Sequence, residues 1–168
     1  TPMNGIIGMT ELALDTQLDA EQKHYLKTVK SSAEALLTIV NDILDFSKIE
    51  AGKMAFESLA FSVHDIVLEA VRVLAVGAHK KGLELIADVR PDVPVRIVGD
   101  PTRLRQVIIN LVGNAIKFTE CGEVSLKVEV DQRTEHSVFL RFSISDTGIG
   151  VPIDKQQAIF EAFSQADV

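Results

Sequence analysis

Residues 99–120 read GDPTRLRQVIINLVGNAIKFTE, and the fold turns on how this stretch is read. Asp100-Pro101 is a helix start, an acidic cap followed by proline at the first helical position, where a missing N–H costs nothing. Leu104, Val107, Ile108, Leu111, Val112, Ala115, Ile116 and Phe118 then recur at helical spacing. They cover most of the circumference, so the pattern predicts a helix running to about Phe118, with Gly122 in the turn beyond. Asn110, Asn114 and Lys117 fall at i, i+4 and i+7 and share one face of that helix. Two side-chain carbonyl oxygens one turn apart can hold a hard cation such as Mg²⁺ and leave its other positions to water and phosphate. Lys117 adds a compact positive charge suited to phosphate. A polar face in water is the plain alternative for such a triad. The apolar surroundings argue against it, because amides set among them need partners to offset desolvation, and a ligand is one such partner.

Downstream, Val124–Val130 and Val138–Ser145 alternate in polarity across a polar loop and read as a hairpin. Asp146-Thr147-Gly148-Ile149-Gly150 follows the second strand directly. A carboxylate at a strand end can accept from an amine, and the glycines let a flat ring approach the backbone. By itself D-x-G-x-G equally describes a plain strand-to-turn transition. Asp154–Phe163 suggests a further helix with Phe160 and Phe163 as its core anchors. Upstream, Met54–Leu59, Leu83–Val89 and Val95–Val98 read as short strands. Ser62-Val63-His64-Asp65 reads as a capping box opening a helix through about Ala78. Helices interleaved with mostly antiparallel strands give an α+β sandwich, its helices on one face of a mixed sheet.

The N-terminal third is helical in pattern. Apolar residues from Met3 to Leu14 crowd a first short segment. Asp19, with Gln22 three residues on, caps a second helix. Along it Leu26, Val29, Ala33, Leu36, Val40 and Ile43 alternate in steps of three and four, a heptad seam. Leu37, Ile39 and Leu44 widen the seam into the stripe of a four-helix bundle. Two helices cannot fill such a bundle, so a homodimer is expected; packing on the chain's own second domain is the other way to cover the stripe. Ala51-Gly52-Lys53 breaks the helix and divides a helical hairpin, 1–52, from a second domain, 53–168.

Composition narrows the function classes. With 168 residues, 46% hydrophobic and 24% charged, the chain is long enough and apolar enough to build a core. A net charge of −7 gives no basic face for nucleic acid. The single cysteine, Cys121, cannot pair within the chain and fits a reducing compartment. No window approaches the ~18 uninterrupted apolar residues of a membrane span, so no membrane contact is expected of this segment and a cytoplasmic location is. His24, His64, His79 and His136 are scattered without carboxylate or thiol at ligand or triad spacing, and read as structural or surface residues.

Taken together, the motifs resemble the core of sensor histidine kinases, particularly the hybrid type of two-component phosphorelays. Residues 1–8 (TPMNGIIG) look like the stretch just after the phosphoacceptor histidine, and 42–52 (DILDFSKIEAG) like the end of the second dimerisation helix. Residues 99–120 resemble the family's asparagine box, DTGIG at 146–150 its first glycine box, and FEAFSQAD at 160–167 its phenylalanine box. The resemblance implies an antiparallel helical hairpin, half of a dimeric four-helix bundle, followed by a Bergerat-type α/β sandwich that binds ATP. It implies that Asn114 and Asn110 hold the Mg²⁺ bridging the ATP phosphates, that Lys117 contacts phosphate, and that Phe118 borders the nucleotide. Asp146 would accept from the adenine amine, with Gly148, Ile149 and Gly150 allowing close approach, and Phe160 and Phe163 would anchor the base of a lid. The implied reaction passes the γ-phosphoryl group to a histidine and then to an aspartate of a receiver domain.

The family's phosphoacceptor histidine is expected a few residues before Thr1, and its second glycine box and most of its lid after Asp167. Neither is within these 168 residues, and both ends are expected to continue in a longer protein. Thr1 matches a position the family uses to remove phosphate from the receiver. Gyrase-type and chaperone ATPases of the same fold carry glutamate where this chain has Asn110, which is too weak a base to activate water. A hydrolysing ATPase is therefore disfavoured. A non-catalytic dimerisation module with a decayed nucleotide site would explain the missing segments, but not the joint presence of Asn110, Asn114, Lys117 and Asp146.

Overall fold

A turn ahead of Asp19 folds the N-terminal region back on itself, between α1 (Pro2–Leu14) and α2 (Ala20–Glu50). In this computed structural model, which describes residues 2–156, the chain divides into two units, Thr1–Ala55 and Phe56–Val168. Asp19 caps α2 by accepting from the Gln22 N–H at 2.8 Å, while the Gln22 side chain accepts from the Asp19 N–H at 3.2 Å, a full capping box. Glu11 on α1 pairs with Lys30 on α2 at 2.6 Å, which pins the two helices side by side. The ion pair raises the Lys30 pKa above its ordinary value. Of the seam residues, Ala33 is buried and Leu26 half-buried. Val29, Leu36, Ile39, Val40, Ile43 and Leu44 are exposed, so α1 covers only part of the stripe that α2 presents.

The second unit is built on a central strand. β1 (Leu59–Phe61) pairs antiparallel with β3 (Ile97–Gly99) in a two-stranded sheet. β2 (Glu84–Val89), β4 (Glu123–Arg133) and β5 (Val138–Asp146) form a second sheet in the order β2-β4-β5. β2 runs parallel to β4, and β4 and β5 form an antiparallel hairpin with an irregularity between Val130 and Gln132. A parallel neighbour requires a crossover, and the segment carrying β3 and α4 (Pro101–Phe118) supplies it.

One face of this mixed sheet is covered by α3 (Val63–Lys80) and α4. Ser62 starts α3 by accepting from the Asp65 N–H at 3.2 Å. Val124, Leu126 and Val128 alternate inward along β4 and are almost wholly buried. They meet Val63, Ile66, Val67 and Ala70 of α3 and Ile108, Val112, Ala115 and Ile116 of α4 in one core. The result is α+β, as the pattern predicts.

Two expected strands move. The strand predicted at Met54–Leu59 is instead β1 at Leu59–Phe61, and Val95–Val98 becomes Ile97–Gly99. Register explains both: Phe61 and Ile97, paired in β1–β3, are the residues that pack on the core, and residues 54–58 pair with no strand among the described residues. Of the helix predicted at Asp154–Phe163, the described part is a single 3₁₀ turn, Ile153–Lys155, after Pro152. Phe160 and Phe163 lie outside the described residues, as does Thr1.

Candidate nucleotide site

Two motifs far apart in sequence meet at the C-terminal end of α4. The helix is fixed at its start by Asp100, whose Oδ1 accepts from the Arg103 N–H at 3.0 Å. Its Oδ2 accepts from the Glu57 N–H, also at 3.0 Å, tying the segment ahead of β1 to the helix. These two backbone donors, Arg103 foremost, hold the Asp100 carboxyl below its ordinary pKa of 3.8.

Burial of Ile108, Val112, Ala115 and Ile116 fixes the rotation of α4 about its axis. The opposite side therefore carries Asn110, Asn114 and Lys117, all exposed. This corrects the expectation of amides set in an apolar surround: the buried stripe is narrower than the apolar composition suggests, and both asparagines face water. Alongside them run Val107, Leu111 and Phe118, which are 53%, 48% and 44% exposed. The outward face of α4 thus pairs a row of polar groups with a strip of apolar surface. Lys117 holds its ammonium 4.9 Å from the centre of the Phe118 ring.

The second wall is the loop after β5. The Gly148 N–H donates to Asp146 Oδ1 at 2.9 Å, a tight local turn that fixes one carboxylate oxygen. Gly148 lies directly against α4, since a Cβ there would sit 2.5 Å from the Phe118 carbonyl oxygen and 3.0 Å from Thr119 Oγ1. The Ile149 N–H points at that same carbonyl at 3.5 Å. Asp146, Gly148, Ile149 and Phe118 therefore come together. Asn110, Asn114 and Lys117 follow on the outward face of the helix.

Three residues that the sequence reading did not single out hold this junction. Thr147 Oγ1 donates to the Cys121 carbonyl at 3.0 Å and accepts from the Glu123 N–H at 3.1 Å, joining the loop to the start of β4. The intervening Gly122 has φ +104°, and a Cβ on it would fall 2.2 Å from Thr147 Oγ1. Thr119 is fully buried and donates to the Ala115 carbonyl at 2.7 Å. Lys81, just past α3, places its ammonium against the carbonyls of Ile116, Lys117 and Thr119 at 2.9, 2.7 and 3.2 Å. A lysine at a helix end signals its own helix terminus; that it serves another helix is visible only in three dimensions.

His24 lies on α2, His64 and His79 at the two ends of α3, and His136 in the β4–β5 loop. Among the described residues no group of three His, Cys, Asp or Glu side chains is placed to hold a metal ion.

A helical hairpin joined to an α+β unit, with an asparagine-bearing helix meeting a glycine loop, defines the two-part core of the histidine kinases. The chain belongs to this family. Residues 1–52 match the His Kinase A (phospho-acceptor) domain, and residues 99–168 match the histidine kinase-, DNA gyrase B- and HSP90-like ATPase. The signal transduction histidine-protein kinase BarA of Escherichia coli (strain K12) is 49% identical over 167 residues, covering 99% of this chain and 18% of BarA. The chain thus spans under a fifth of that relative's length. Full-length ShkA, crystallised in complex with AMPPNP, superposes with a TM-score of 0.77 at 36% identity, over 98% of this chain and 34% of ShkA. The kinase ThkA in complex with the response regulator protein TrrA gives 0.63 at 25% identity, over 97% of this chain and 47% of that one. No described helix is long and apolar enough to cross a membrane.

Proposed function

We propose that the chain is the Mg-ATP-binding core of a protein-histidine kinase acting in two-component signalling. The observation that carries this reading is the junction of Gly148 with the Phe118 carbonyl, which sets a carboxylate, a close-approach backbone and a phosphate-type lysine along one open face. The base of ATP would lie at the loop, its amine donating to Asp146, with Gly148 and Gly150 leaving room for the ring. Leu111 and Phe118 offer apolar contact, and Lys117 meets phosphate.

The donor set fits Mg²⁺. Asn110 and Asn114 present neutral oxygens, which suit a cation that brings its anionic phosphates with it better than a bare ion. When bound, Mg²⁺ neutralises phosphate charge. Asn110 lacks the basicity to take a proton from water. The site therefore preserves the γ-phosphoryl group for a histidine of the dimerisation helices, which then passes it to an aspartate of a receiver domain. The exposed stripe of α2 is the surface through which two chains complete a four-helix bundle, and the reaction belongs to the cytoplasm.

Calorimetric titration with Mg-ATP tests the reading. Asn114→Ala is expected to abolish binding, and Asn110→Glu to raise hydrolysis. Full nucleotide affinity in Asn114→Ala refutes the assignment.

A further inference from the structure

We propose that Lys81 is a positioning residue for the nucleotide site, acting through the C-terminal turn of α4. The inference rests on the nucleotide-binding reading above and extends it to a residue outside that face. An α-helix leaves its last four carbonyls without helical partners. In α4 each finds one: Ala115 receives the Thr119 hydroxyl, Ile116 and Lys117 receive the Lys81 ammonium, and Phe118 receives the Ile149 N–H. The third bond from Lys81 goes to the Thr119 carbonyl, one residue past the helix. One ammonium thus grips both the last helical turn and the residue that leaves it. Its charge also lies at the negative end of the helix dipole, where a cation is favoured.

The geometry gives the clasp a direct link to the site. Lys81 bonds the carbonyl of Lys117 itself and those of Ile116 and Thr119, so it brackets Phe118. The Phe118 carbonyl is the surface against which Gly148 rests. Release of the clasp frees the turn that bears Lys117 and Phe118 and loosens the bed of the glycine loop, while the α3–α4 core, made by Ile108, Val112 and Ala115, stays packed. Lys81 reaches this turn from the α3–β2 connection, through bonds to backbone carbonyls.

The test is Lys81→Met in the 168-residue chain, titrated with Mg-ATP at a temperature where far-ultraviolet circular dichroism shows unchanged helix content. Affinity is expected to fall about tenfold, the equivalent of one charge-assisted hydrogen bond. Unchanged affinity, with only a lowered melting temperature, makes Lys81 a helix cap and overturns the proposal. A second measurement needs no variant. The lysine Nζ resonance of Lys81 is expected to shift when Mg-ATP is added to the unaltered chain, and a resonance that stays put also overturns it. Absence of Mg-ATP binding by the unaltered chain is a different failure, one that removes the functional reading itself.

Discussion

Adding one methyl group at Gly148 is the sharpest test of how the glycine loop sits on α4. An alanine Cβ there would stand 2.5 Å from the Phe118 carbonyl oxygen and 2.8 Å from Asp146 Oδ1. Ordinary non-bonded contacts begin at about 3.5 Å, so close to an ångström must be found. The nearest obstacle is backbone, held by the Lys81 bonds to the Lys117 and Thr119 carbonyls on either side of it, and cannot turn aside as a long side chain would. Overpacking of this kind costs about 1–3 kcal/mol. The cost has two destinations. If the loop stays in place, stability falls by that amount. If it lifts, stability is spared, but the nucleotide must press the loop back, and affinity falls by about 5- to 150-fold. The sum of the two losses is therefore the predicted quantity. Urea unfolding without ligand and calorimetry with Mg-ATP measure the two parts. A Gly148→Ala chain that matches the unaltered one in both, within about 0.5 kcal/mol, refutes the close approach.

Two further predictions concern stability. Asp100 has a folded pKa below its unfolded value, so its contribution is fully present above about pH 4 and is lost as pH falls through the depressed folded value. Between pH 5 and pH 2 the melting temperature of Asp100→Asn should therefore fall less steeply than that of the unaltered chain, and parallel curves count against the Arg103 and Glu57 bonds. Gly77 is an exposed position inside α3 with no heavy atom within 4 Å of an added Cβ. Gly77→Ala should raise stability in urea by about 0.5–1 kcal/mol through the lower helix propensity of glycine; a loss of stability would mean that α3 is covered there.

The helix at 101–118 was legible because three independent signals agree: Asp100 and Pro101 at its start, the apolar period through it, and Gly122 just beyond its end. The capping box at Asp19 was equally plain. Strand ends were not. Residues 54–61 alternate weakly, and only the pairing of β1 with β3 decides which of them form the strand. The spacing of Asn110 and Asn114 places them on one face of the helix, but that face is open to water rather than set among buried apolar groups, because apolar residues on a helix need not all be buried. Lys81, Thr119 and Thr147 were missed for a common reason. Each bonds backbone rather than a partner side chain, and backbone carbonyls leave no trace in a pattern of residue types.

α4 ends without a left-handed glycine cap: Thr119 leaves the helix with φ −103° and ψ 126°, an extended conformation. The partners of its last three carbonyls, those of Ile116, Lys117 and Phe118, come from the α3–β2 connection and from the loop after β5. The last turn is thus not a local structure, and a peptide of α4 alone would fray there. Assembly has an order as a consequence. The helix can form through its buried middle, but Lys117 and Phe118 gain fixed places only after α3 and the β4–β5 hairpin have docked. The end of the helix at which nucleotide is proposed to bind rests on the contacts most distant in sequence, so a ligand held there would favour the completed fold over partly assembled forms.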